Sequence, residues 1–365
     1  MPRPMPREAP VTTTTRPAIS VSTVTPHDRT GRPSLRHPRP EIAPLLTHEG
    51  GGSGQTAGMR IGINGSGLIA LGQPAASIID HAVAAEADGF DSYWLAQLAA
   101  PDAITVLGVV GTRTSTIELG TAVVPTWPRH PLMLAAQSLT ASDLSGGRFT
   151  LGLGLAHKST VEASLHVPFA QPARHMDEYL SVLLPALADR TVDVQGEIWS
   201  GTAETLGVPA GVATPSVVLA AMGPRMLALA GGRADGTILW LSGPKVIESD
   251  IAPPLRAAAE AAGRPAPRIV ASVPVSVTDD PEGMRALVDG VLANYNDLPS
   301  YQRVMELEGA GGPGAVAVVG DEDTVRAGIE AFAAAGATDF AALEIAMTED
   351  DAARTRALLR DLAAA

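Results

Sequence analysis

Chemistry in this chain could only come from a few residues standing just past apolar runs. After FTLGLG the chain reads Leu155-Ala156-His157-Lys158. An imidazole titrates near neutrality, so His157 at a strand end could move a proton; it could equally be a solvated loop histidine. After VVLAA comes Met222-Gly223-Pro224-Arg225-Met226. Glycine permits a tight turn there, and proline at a first helical position loses no needed N–H. The free N–H groups of such a helix start, beside Arg225, would attract a phosphate, although a plain helix start has the same pattern. After RIGIN comes Asn64-Gly65-Ser66-Gly67, either a close backbone approach to a ligand at Gly65 or an ordinary turn. The stretch from Thr121 to Pro131 is proline-rich and carries Trp127, which could wall a pocket or merely pack a structural loop.

The common alternatives are missing. There is no Walker loop, no His-Glu-x-x-His and no G-x-S-x-G elbow, and the glycines at 62, 65 and 67 have the wrong spacing for a dinucleotide fingerprint. No histidine pairs with a carboxylate at ligand spacing, and zero cysteines remove thiolate sites and disulfides together. No metal is expected.

These segments are placed by an alternation of short β-type runs with longer Ala/Leu-rich helical patterns. Strands are expected at 60–64, 91–95, 117–123, 149–153, 217–221, 236–241, 268–275 and 338–345. Helices are expected near 75–88, 101–113, 131–143, 173–189, 223–232, 244–262, 281–295, 321–335 and 349–363. The strands are continuous apolar runs, as a parallel sheet buried on both faces requires. Eight βα units predict a (β/α)8 TIM barrel whose reactive face is built at the strand C-termini; a doubly wound open sheet is the alternative. Two insertions break the rhythm. Residues 190–215 read as a hairpin, VDV-QG-EIW, and a Gly/Pro-rich loop, and residues 296–320 as an extra helix and a glycine-rich loop.

Composition sets the outer limits. Hydrophobic residues are 45% and charged residues 18%, enough for a sizeable core, and the net charge of −13 argues against nucleic acid as a partner. No run of 18 apolar residues exists to span a membrane. Residues 1–58 hold ten of the 30 prolines, seven arginines and four acids, so they are expected to be a disordered tail or an over-called start, with the barrel over 59–365. Met59 opens a typical first strand, and without a secretory signal a cytoplasmic protein is expected.

Four segments resemble the bacterial luciferase-like monooxygenase superfamily, in particular its branch using the deazaflavin coenzyme F420. They are Asp88-Gly89-Phe90-Asp91-Ser92-Tyr93-Trp94; Leu119-Gly120-Thr121-Ala122-Val123 with Arg129-His130-Pro131; Asp143-Leu144-Ser145-Gly146-Gly147-Arg148 with Leu151-Gly152-Leu153-Gly154; and Met222 to Met226 with Ala234-Asp235-Gly236. The resemblance implies a TIM barrel with a flavin or deazaflavin across its C-terminal face. It implies a non-prolyl cis peptide at Ala122–Val123 against the ring, a phosphate on the backbone of Met222 and Gly223, and Gly154, Leu155 and Ala156 along the ribityl chain and ring edge.

Where many relatives carry an acid–histidine pair after the second strand, this chain has Gln97-Leu98, neither of which moves a proton. Where related sugar-phosphate dehydrogenases have a carboxylate, it has His157, which is left as the candidate catalytic residue. The expected function is F420-dependent hydride exchange with a small organic molecule. The alternatives are an FMN-dependent monooxygenase fed by a separate reductase, and a catalytically idle barrel that binds a flavin or a partner. A homodimer is expected, with the small-molecule substrate and a reductase supplying reduced cofactor as the other partners. Neither nucleic acid nor membrane is expected to bind.

Overall fold

The computed structural model describes residues 58–98 and 100–365. The tail expected over 1–58 lies outside them, Gly58 excepted. Eight parallel strands close into a barrel: β1 (Arg60–Asn64), β2 (Ser92–Leu95), β3 (Glu118–Thr121), β4 (Phe149–Gly154), β5 (Ser216–Leu219), β6 (Gly236–Trp240), β7 (Arg268–Ser272) and β8 (Asp339–Glu344). Closure is made by β8 returning to β1, with Arg60 opposite Asp339 and Ile63 opposite Ala342. The open-sheet alternative is thereby excluded.

The outer helices form where the periodicity and their start signals place them. Asp102, Asp280 and Asp321 cap helices Ala103–Arg113, Pro281–Val291 and Glu322–Ala334 by accepting backbone N–H groups, and proline opens helices Pro131–Leu144, Pro172–Ala188 and Pro224–Arg233. Among the described residues no helix is long and apolar enough to cross a membrane.

Three local expectations need correction. The third strand stops at Thr121 rather than 123, because the Ala122–Val123 peptide is cis and the chain resumes pairing with β4 only at Val124–Pro125. The helix expected over 244–262 contains a π-helical stretch, Ile247–Ile251, ahead of Pro253 and Pro254. Those prolines have no N–H to give the carbonyls of Ser249 and Asp250, so the α ladder cannot continue through them. The hairpin pairs Val192–Val194 with Gly201–Ala203, not with EIW. Glu178 takes the N–H groups of Ile198 (2.6 Å) and Trp199 (3.1 Å), holding EIW as a loop against helix Pro172–Ala188.

Side chains alternate along each strand, and the registers carry the same parity around the barrel, so the lumen fills in layers. The floor is ionic. Arg268 bonds Glu118 and Asp339 (both 2.8 Å), Arg60 pairs with the same two carboxylates, and Thr150 donates to Glu118. Trp94, Val218, Ile238, Val270 and Ala341 form the middle layer, where Gly120 lacks the β-carbon that would overlap the indole. The upper layer, at the strand C-termini, holds the candidate site.

Candidate functional site

Two residues above the middle layer, strand parity puts Asn64, Ala96, Ala122, Gly154, Ala220, Trp240, Ser272 and Leu343 around the barrel mouth. Its two halves differ. From β2 to β5 the residues are small, and Ala220 is exposed although it stands inside the ring of strands, so this half opens to solvent. On the other half Asn64 donates to Ser272 Oγ (3.0 Å) and accepts from the Ser66 N–H, while Ser272 donates to the Ala341 carbonyl. Those polar groups are satisfied within the chain.

The small half is a built shelf. The Ala122 N–H donates to the Leu95 carbonyl (2.7 Å), and the Val123 carbonyl accepts from the Gln97 N–H (3.1 Å). Beneath it, a β-carbon on Gly152 would overlap the Thr121 carbonyl, and one on Gly154 would overlap Val123 Cγ2. Glycine at both positions lets the cis peptide sit flat over β4. Leu155 then packs toward the core, and Ala156 takes a left-handed φ of 55°, which swings the chain to His157.

His157 precedes the short helix Lys158–Ser164 but does not cap it. Its ring stands edge-on to Tyr295 and Tyr301, with centroids 6.0 and 5.9 Å away. Burial lowers its pKa below the ordinary value, so the imidazole is neutral at neutral pH. Among the described residues its ring nitrogens have no hydrogen-bond partner.

Helix Pro224–Arg233 starts at Gly223 without a side-chain cap, and a β-carbon at Gly223 would meet nothing within 4 Å. The N–H groups of Arg225 and Met226 have no acceptor inside the helix. Arg225 is exposed, and Arg303 arrives from helix Pro299–Glu308 to donate to the Met222 carbonyl at 3.3 Å. Nothing local in the sequence singles out Arg303; its place here depends on how the 296–320 insertion folds back.

Ala122, Val123, Gly154, Leu155 and Ala156 thus gather in one patch, and Met222, Gly223 and Arg225 at a helix start on the same barrel face. Gly65 differs. Its N–H is taken by the Trp94 carbonyl (2.9 Å), and a β-carbon there would overlap the Tyr93 hydroxyl. Packing against Tyr93 accounts for that glycine. Gln97 accepts from the Ala103 N–H (2.9 Å), Leu98 is exposed, and Asp102 pairs with Arg129 at 2.7 Å, which fixes the loops after β2 and β3. Among the described residues no group of three or more His, Cys, Asp or Glu could hold a metal ion.

The model of the luciferase-like monooxygenase family matches residues 45–339. The chain belongs to this family. As a member of it, the chain is similar to 5,10-methylenetetrahydromethanopterin reductase of Methanolobus tindarius, at 30% identity over 52% of this chain and 58% of that protein. It therefore spans little more than half of that relative. Two solved structures superpose widely. The coenzyme F420-dependent tetrahydromethanopterin reductase of Methanopyrus kandleri has TM-score 0.64 and 23% identity, covering 83% of this chain and 98% of that one. The oxygenating constituent of 3,6-diketocamphane monooxygenase from Pseudomonas putida, in complex with FMN, has TM-score 0.63 and 19% identity, covering 83% and 96%.

Proposed function

We propose that the protein is a coenzyme F420-dependent oxidoreductase that exchanges a hydride with a small organic molecule. The observation that carries this reading is the shelf: Ala122 and Val123 laid on Gly152 and Gly154, where a β-carbon would overlap the Thr121 carbonyl or Val123, beside the exposed Ala220, open where a planar ring needs a floor. The helix start at Gly223 lies on the same face, with its free N–H groups, Arg225 and Arg303 suited to an anionic tail. A bound deazaflavin supplies hydride transfer at its ring.

The chain's own part is positioning and proton management. Ala122, Val123 and Gly154 would floor the ring, and Leu155 and Ala156 would edge it. Met222, Gly223 and Arg225 would hold the phosphate. His157, neutral and without a hydrogen-bond partner among the described residues, stands on this rim able to accept or return a proton, whereas neither Gln97, which accepts from the Ala103 N–H, nor Leu98 has a titrating group. The FMN in the Pseudomonas neighbour supports a second reading, a monooxygenase fed by a separate reductase.

Titration of the full chain with F420 and with FMN, followed by quenching of each cofactor's fluorescence, separates the readings. Tighter binding of F420 supports the proposal, and tighter binding of FMN supports the second. Binding of neither leaves an idle barrel and refutes both.

A further inference from the structure

Opposite the shelf the mouth is walled by aromatic rings from three separate segments. Trp240 ends β6 two residues after the lumen residue Ile238, so it faces the same interior. Tyr295 lies in the 3₁₀ turn Ala293–Asp297, and Tyr301 in helix Pro299–Glu308. Ring centroids are 6.3 Å apart for Trp240 and Tyr295, and 4.7 Å for Tyr295 and Tyr301, and both tyrosines face His157 edge-on. All four rings are half-buried, so each keeps some surface uncovered.

The charges nearby are committed elsewhere. The ionic floor lies beneath Trp94, Asp102 and Arg129 neutralise each other, Lys158 lies within 4.0 Å of Glu162, and Arg225 and Arg303 stand at the helix start proposed to take the cofactor phosphate. Asn64 and Ser272 satisfy each other and the backbone. What faces a ligand is therefore aromatic surface and one neutral imidazole, which can donate one hydrogen bond and accept another. An ionised group placed there would lose its hydration without gaining a counter-charge.

From this we infer that the substrate is an uncharged molecule with a conjugated or aromatic body, packed on Trp240, Tyr295 and Tyr301, whose carbonyl or hydroxyl oxygen meets His157. The inference rests on the proposed function for the word substrate and for the engagement of Arg225 and Arg303 by a cofactor phosphate; the aromatic wall is the same whichever cofactor the shelf takes.

The test is calorimetric titration of the full chain, already loaded with whichever cofactor it binds, with 2-acetylnaphthalene and with 6-acetyl-2-naphthoate. The two probes differ by one carboxylate. The neutral ketone is expected to bind at least tenfold more tightly. Tyr301→Ala should weaken it by roughly tenfold, and Tyr301→Phe by less than about twofold, because the ring and not the hydroxyl forms the wall. Equal affinity for the two probes, or an unchanged affinity in Tyr301→Ala, overturns the inference. Should Tyr301→Ala not fold, the comparison of probes on the unaltered chain still decides. A chain that binds neither cofactor but does bind the ketone refutes the proposed function and supports the wall.

Discussion

Replacing Gly223 by aspartate should separate binding from folding. Gly223 has φ −104° and ψ 155°, extended backbone open to any residue, and a β-carbon there meets nothing within 4 Å. Aspartate at an N-cap is better than glycine by only a few tenths of a kcal/mol, so Tm should stay within about 1 °C of the parent. The same carboxylate would stand where the cofactor phosphate is proposed to dock. Two unit charges about 5 Å apart at an effective dielectric of about 20 repel by about 3 kcal/mol, a loss of roughly 100-fold in affinity. Gly223→Asn fills the same space without charge and should stay within a few-fold of the parent. The assay is the Kd for F420 from fluorescence quenching at low and high salt, and the gap between the two variants should narrow as salt rises. An aspartate variant with the parental Kd would refute the phosphate assignment. An asparagine variant as weak as the aspartate one would refute the electrostatic reasoning.

His157→Ala should lower turnover by roughly 10²–10⁴-fold while cofactor Kd moves only a few-fold, and near-parental turnover would remove His157 from the chemistry. Burial pushes the imidazoles of His81 and His175 down to about 4, aided at His81 by Arg356 and opposed at His175 by Glu178. The unfolded chain, with histidine near 6.5, therefore binds more protons between these values, and stability falls as pH drops through that window. Urea unfolding at pH 5 should show a loss of about 2 kcal/mol against pH 7 from His175 alone, and a flat profile would contradict its burial. Glu118→Ala removes one of the two buried carboxylates at the barrel floor and leaves Asp339 alone to face both Arg268 and Arg60, so unfolding free energy should drop by about 3 kcal/mol. A drop below about 1 kcal/mol would mean the floor is no sealed network.

The barrel was legible because its signals are local. Apolar runs such as RIGIN and FTLGL need burial on both faces, and Pro131, Pro224 and Pro281 stand at helix starts, where a missing N–H costs nothing. The hairpin register was not legible, because the groups that decide it are distant in sequence. Glu178 gathers two amides of the loop, and Trp199 donates to His175 Nδ1 at 3.2 Å. The site shows the same division. Gly154, Gly223 and His157 stand beside their strands and could be picked out one by one. The pairing of Gly154 with Val123 needs the register of β3 against β4, and Trp240, Tyr295, Tyr301 and Arg303 come together only through the fold of the 296–320 insertion and the segment before it. Gly65 has a local turn pattern that suits a ligand, and only the neighbouring Tyr93 hydroxyl shows that packing requires the glycine.

The most direct measurement is a crystal structure of the full chain grown with F420. The account predicts the deazaflavin ring lying against Ala122–Val123 and Gly154, the phosphate within hydrogen-bond distance of the Arg225 and Met226 amides, and His157 on the ring's open side. A phosphate held elsewhere, or a ring stacked away from the Ala122–Val123 peptide, would contradict it.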